Sequence, residues 1–109
     1  MNIKLISFNI RNSDDENGHS IEERAPRLME SIKSRDPDII GIQEYRPKWE
    51  HFFENVLSCD YEIFNKYRCD EKPEASPILW KKDKFECLKK GYTIGKHDRY
   101  ILPVRHIYR

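Results

Sequence analysis

Little in this 109-residue chain carries an excess of charge: twenty Lys and Arg stand against nineteen Asp and Glu, a formal +1. That balance excludes a strongly basic nucleic-acid binder, so any preference for phosphate has to be local. Cysteine is also scarce. Cys59, Cys69 and Cys87 are odd in number and never in C-x-x-C spacing, which argues against a disulfide framework and a thiolate zinc site and predicts a reducing compartment. No apolar run approaches the roughly 20 residues of a transmembrane helix. The opening MNIKLISFNI has one lysine, a short apolar stretch and no small-residue cleavage site, unlike a signal peptide. Internal repeats and low-complexity tracts are lacking too. Together these absences predict a soluble, cytoplasmic protein without a membrane span.

What is present is core-forming material. Hydrophobic residues make up 38% and aromatics 12%, which excludes intrinsic disorder. The charged fraction of 36% is high against a usual value of about 25%. It fits a small domain with much surface, or a piece that expects more chain to cover it. Lys81, Lys82, Lys84, Lys89 and Lys90 cluster, and Lys96, Arg99, Arg105 and Arg109 are opposed only by Asp98. These lysines read as a solvated basic face.

Residues 2–10 are rich in β-branched and aromatic side chains and predict a buried strand, stopped by Asn12, Ser13, Asp14 and Asp15. Ser20-Ile21-Glu22-Glu23 is a capping box, with the Ser20 hydroxyl on the Glu23 amide and the Glu23 carboxylate returning to the Ser20 amide. Ile21, Ala25, Leu28, Met29 and Ile32 then form one apolar helical stripe, with Pro26 one turn in. The helix ends before Pro37, which pushes Asp36 out of the α region. Residues 38–44 are almost uninterruptedly apolar, as in a strand covered on both faces. Trp49, Phe52, Phe53, Val56 and Leu57 predict a second short helix, and residues 61–67 alternate like a strand. A loop over 68–76 precedes strands at 77–82 and 85–91, joined at Asp83 as a hairpin. In the tail only Tyr100, Ile101, Leu102 and Val104 look strand-like, interrupted by Pro103.

Two strand ends carry polar residues suited to a site: Phe8-Asn9-Ile10-Arg11 and Gly41-Ile42-Gln43-Glu44. A carboxylate at the end of an apolar strand needs a cation or a hydrogen-bonded partner. Magnesium is one candidate, since it takes few protein carboxylates and leaves its other positions to water and phosphate oxygens. Asn9, neutral and able to donate, can hold a phosphate oxygen or orient Glu44. The alternative is structural, with Glu44 paired to Arg11 or Arg46 at the rim of a sheet.

The order of these features, I-S-F-N-I-R, then a helix carrying Arg24 to Arg27-Leu28, then D-P-D-I-I-G-I-Q-E, then S-P-I-L-W-K-K-D-K-F-E, resembles the endonuclease/exonuclease/phosphatase superfamily over residues 3–88. The stretch 95–109 diverges. The resemblance implies an α/β fold, the N-terminal half of a four-layered α/β sandwich, with a mixed sheet and helices packed outside. It implies a partial domain over 1–109 whose uncovered sheet face is apolar. By the same resemblance Glu44 matches the ligand of magnesium, or of manganese in its place, and Asn9 contacts the metal site or scissile phosphate. Arg11 contacts substrate phosphate or pairs with Glu44, and Gln43 orients the loop beside Glu44. Asn9 and Glu44 are thus the expected catalytic pair, acting on a phosphoester for which nucleic acid is one class.

The family's remaining motifs, T-H, G-D-x-N and S-D-H, are not in this sequence. In-line attack of water on a phosphate ester needs a general base as well as a metal, and His19, His51, His97 and His106 match no motif and are expected at the surface. Two readings follow. One is the N-terminal segment of a metal-dependent phosphoester hydrolase, inactive alone and completed by further chain. The other is a noncatalytic remnant or interaction module that pairs through an exposed sheet edge with a partner or a second copy.

Overall fold

The chain is seen in a computed structural model that describes residues 2–11, 19–67, 73–88, 91–93, 99–101 and 104–106. Helix α1 (Ile21–Arg35) starts at the capping box. The Ser20 hydroxyl oxygen accepts the Glu23 amide at 3.2 Å, and the same hydroxyl donates to the Glu23 carboxylate at 2.9 Å. The carboxylate therefore returns to the Ser20 side chain. Glu22 and Glu23 in the first turn, and Lys33 and Arg35 in the last, match the helix dipole. Ile21, Ala25, Met29 and Ile32 are buried and Leu28 is half-buried, as the stripe predicts. Pro26 sits inside the helix, where its missing N–H falls in the early turns. Asp36 caps the end with φ 48° and ψ 55°. Its amide still reaches the Ile32 carbonyl at 3.0 Å, so it takes the left-handed region rather than an extended one.

Strand β1 (Leu5–Asn9), strand β2 (Ile39–Gln43), helix α2 (Glu50–Leu57), strand β3 (Tyr61–Phe64) and strand β4 (Ile78–Lys81) complete the main layer pair, with a 3-10 turn at Pro47–Trp49 leading into α2. The sheet order is β1-β2-β4-β3. β1 and β2 are parallel, so α1 serves as their crossover; β4 is antiparallel to both its neighbours. This is the expected mixed α/β sheet. Ile40 and Ile42 are fully buried, and with Leu79 they meet the α1 stripe and Trp49, Phe53 and Leu57.

Three expectations are corrected. β1 is a sheet edge rather than a buried strand: its residues alternate between exposed and half-buried, and Leu5 is 70% exposed. β2 is buried completely on one face only, with Ile39, Gly41 and Gln43 half-buried on the other. The strand at 85–91 makes no hairpin with β4. Both edges of β4 are already occupied by β2 and β3, so the turn closed by the Lys84 amide on the Lys81 carbonyl, at 3.2 Å, leads out of the sheet. Strand β5 (Phe85–Cys87) pairs instead with β8 (Val104–His106), and β6 (Gly91–Thr93) with β7 (Arg99–Ile101). β3 also ends at Phe64, short of the predicted residue 67.

The basic cluster is only partly a solvated face. Lys81 is 8% exposed; its ammonium meets Asp36 Oδ1 at 2.7 Å and Asp38 Oδ1 at 3.9 Å. Lys84 meets Asp38 Oδ1 at 3.1 Å. Lys82 is exposed and donates to the Ser58 carbonyl. The predicted stop at residues 12–15, the first half of the 68–76 loop, Lys89, Lys90, His97, Leu102 and Pro103 lie outside the described residues. Among the described residues no helix is long and apolar enough to cross a membrane.

Candidate active site

β1 and β2 run parallel and end level, because Asn9 and Gln43 are register partners and the Ile10 amide donates to the Gln43 carbonyl at 3.1 Å. Register partners share a face. Asn9, Ser7, Gly41 and Gln43 therefore lie on the face opposite Ile40 and Ile42, away from the helices. Gln43 spends its amide on a strand-to-strand tie, Nε2 donating to Ser7 Oγ at 2.9 Å. That fixes the end of β2, where Glu44 follows Gln43, the register partner of Asn9.

Just beyond both strand ends the backbone turns left-handed at residues that are not glycine, Arg11 with φ 60° and Glu44 with φ 62°. For an L side chain that conformation is disfavoured by about 1–2 kcal/mol, and such strain persists where neighbouring structure over-determines it. Here the neighbours are identifiable. After Glu44, Tyr45 exchanges backbone hydrogen bonds with Ala75 at 3.0 and 2.8 Å. The Tyr45 ring packs edge-on to Phe53 and stacks with Tyr67. After Asn9, Arg24 from the second turn of α1 holds the chain. Its Nη1 donates to the Ile10 carbonyl at 2.8 Å, and Nη1 and Nη2 reach the Arg11 carbonyl at 3.3 Å. The guanidinium lies 5.6 Å from the Trp49 ring centroid.

The predicted site residues are thus brought to one corner. Asn9 is exposed, and its Oδ1 accepts the Arg11 amide at 3.1 Å. Glu44 is half-buried, and among the described residues its carboxylate meets no hydrogen-bond donor or cation. The structural alternative of a Glu44 pair with Arg11 or Arg46 is not realised; both arginines have contacts of their own. Burial pushes the Tyr45 hydroxyl well above the usual phenol range, with Glu50 and Glu54 adding to the effect, so it stays protonated beside Glu44. His19 and His51 are exposed as expected. Asn9, Ile10, Arg11, Arg24, Leu28 and Trp49 line an open cleft at this corner. Arg24 had no role assigned from sequence; its position four residues after the capping Ser20, at the mouth of the site strand, is the signal.

Among the described residues no three His, Cys, Asp or Glu gather as a metal cage. A metal at this corner would meet one protein carboxylate, that of Glu44, and would have to take its remaining ligands from water or substrate oxygens.

No protein-family model and no curated protein matches the chain. Solved structures do. The endonuclease/exonuclease/phosphatase from Bacteroides vulgatus is 28% identical over 83% of this chain, with a TM-score of 0.73. A mannosyl-6-phosphatase from Bacteroides thetaiotaomicron is 26% identical over 84%, with a TM-score of 0.69. TDP2 of D. rerio, complexed with a single-strand DNA product, shares the fold at 20% identity over 95%, with a TM-score of 0.76. The chain spans 35%, 36% and 41% of the length of these three proteins. The sequence pattern, the mixed sheet and these likenesses together show a phosphoesterase-type fold, that of the endonuclease/exonuclease/phosphatase proteins which this chain resembles.

Proposed function

We propose that this chain is the N-terminal part of a metal-dependent hydrolase of phosphate esters and supplies one corner of its active site. The observation that carries the reading is Glu44: a half-buried carboxylate, unpaired among the described residues, at a left-handed strand end beside Asn9. Such a group is costly to hold without a cation, and magnesium, or manganese in its place, is the cation its surroundings suit.

Glu44 would hold the metal, which would supply Lewis-acid chemistry at the phosphoryl group. Asn9 directs its side-chain amide toward a phosphoryl oxygen, and Arg11, exposed beside it, adds positive charge for the phosphate. Gln43 keeps the β2 end in register through Ser7. No histidine of this sequence matches a family motif, and Tyr45 is held protonated, so the base that activates water is expected from further chain. The isolated chain is therefore expected to hydrolyse neither phosphomonoesters nor phosphodiesters. The neighbours leave the substrate class open between sugar phosphates and nucleic acid, and the near-neutral charge of this chain favours neither. Cys59 and Cys87 are free thiols, which fits the reducing cytoplasm.

A thermal melt with and without magnesium tests the metal corner. Magnesium is expected to raise the melting temperature of the chain and to leave Glu44→Gln where it was. Indifference of the wild-type chain would favour the noncatalytic interaction module, for which Leu5 at 70% exposure on the edge strand and Ile3 at 51% just before it supply an apolar contact.

A further inference from the structure

Asn9 has two ends that do different chemistry, and the turn after β1 commits one of them. The Arg11 backbone N–H can only donate, so the atom facing it at 3.1 Å is the Asn9 carbonyl oxygen. Among the described residues nothing engages the Asn9 amide nitrogen. The exposed end of Asn9 is therefore an NH2 donor. That suits an oxyanion and is the wrong polarity for a metal ligand.

What holds the turn is Arg24. The left-handed Arg11 places its carbonyl, together with that of Ile10, against the Arg24 fork. Arg24 Nε adds the Ser20 carbonyl at 3.3 Å, tying the fork to the start of α1. The planar guanidinium, pre-organised against the Trp49 ring, can serve these carbonyls at once; a lysine ammonium on a flexible stem is a poorer fit. Arg24 touches neither Asn9's side chain nor Glu44 in these contacts. Its influence passes through the backbone of Ile10 and Arg11.

From this geometry we infer that Arg24 is a positioning residue that fixes Asn9 as a hydrogen-bond donor to the phosphoryl oxygen of the substrate, leaving the metal to Glu44. The inference rests on the phosphoester reading above for its target, and on the Arg24 contacts for its mechanism.

Three readouts on the 109-residue chain test it: the order of the Asn9 side-chain NH2 by nitrogen-15 relaxation, the affinity for inorganic phosphate, and the affinity for Mn2+. Arg24→Met keeps the apolar stem over Trp49 and removes the fork. The Asn9 NH2 is expected to drop from an ordered value to below about 0.6, while the rest of the spectrum keeps its dispersion. Phosphate affinity should fall about tenfold, the loss expected for one hydrogen bond to a charged acceptor. Mn2+ affinity should change less than about twofold. Arg24→Lys should recover part of the phosphate affinity. Asn9→Ala should cost the same as Arg24→Met, and the double variant no more than either, because one acts through the other.

An ordered Asn9 and unchanged phosphate affinity in Arg24→Met would overturn the inference, as would an additive loss in the double variant. If Arg24→Met does not fold, Arg24→Lys carries the same comparison with smaller changes. A wild-type chain that binds no phosphate, yet shows Asn9 loosening in Arg24→Met, would remove the phosphoester target and leave the positioning contact standing.

Discussion

The two ends of the β1-β2 pair place polar residues under opposite rules. At the end where β2 begins, the charges of Asp36, Asp38, Lys81 and Lys84 answer one another. Asp38 accepts the Lys4 amide at 2.8 Å and the Lys84 ammonium at 3.1 Å, while Lys81 bridges Asp36 and Asp38. The Tyr61 hydroxyl also donates to the Pro37 carbonyl there. At the end where both strands finish, backbone strain sits at Arg11 and Glu44, the Glu44 carboxylate is unpaired among the described residues, and Asn9 keeps a donor to spare. A polar cluster that satisfies itself stabilises a fold. One that is held in place but left with spare capacity is where the proposed function puts its ligand.

The largest expected effect lies at the satisfied end. Asp38→Ala leaves the Lys4 amide without its acceptor and takes from Lys81 the farther of its two carboxylates, Asp36 remaining at 2.7 Å; it should destabilise the chain by about 2 kcal/mol, as for a part-buried donor left unsatisfied. Urea denaturation measures this. A change near zero would mean the cluster is ornamental and the contrast false.

The same cluster predicts a pH dependence of definite sign. Burial alone would raise the Asp38 carboxyl, but the Lys4 amide and the Lys84 ammonium outweigh it and hold it below the usual carboxylate range. Asp36 is lowered too, chiefly by its hydrogen bond to Lys81. A depressed folded-state value gives stability that is present above the unfolded carboxyl value of about 4 and is lost as pH falls through the folded one. Stability should therefore decline below pH ~4, and the decline should shrink in Asp38→Asn.

At the strained end the effect reverses. Arg11→Gly and Glu44→Gly relieve a left-handed L residue, and each should raise stability by up to about 1 kcal/mol, offset in part by glycine's larger unfolded-state entropy. Thermal melts without metal check it, and destabilisation of both would show that the turns are not strained. Glu44→Gln, smaller still, should stay within about 0.5 kcal/mol of wild type without metal.

Sequence patterning reached the satisfied and the strained ends unequally. The Ser20 capping box, the α1 stripe and the 38–44 strand were legible because their signals are local. The partner of β5 was not, since pairing of Phe85–Cys87 with Val104–His106 is non-local and the nearer strand β4 had no free edge. Lys81 read as solvated because the carboxylates that bury it lie more than forty positions earlier in the chain. Glu44 and Asn9 were legible as polar strand ends. The left-handed turns at Arg11 and Glu44 were not, because nothing in an arginine or a glutamate announces positive φ.

The most direct test of the account is where Mn2+ binds the 109-residue chain. Titrated into nitrogen-15-labelled protein, the paramagnetic ion should broaden resonances around Glu44 and the ends of β1 and β2 first, and Glu44→Gln should abolish that broadening while Asp38→Asn leaves it unchanged. Broadening that centres instead on Asp36 and Asp38, or that persists in Glu44→Gln, would contradict the assignment of Glu44 as the metal corner.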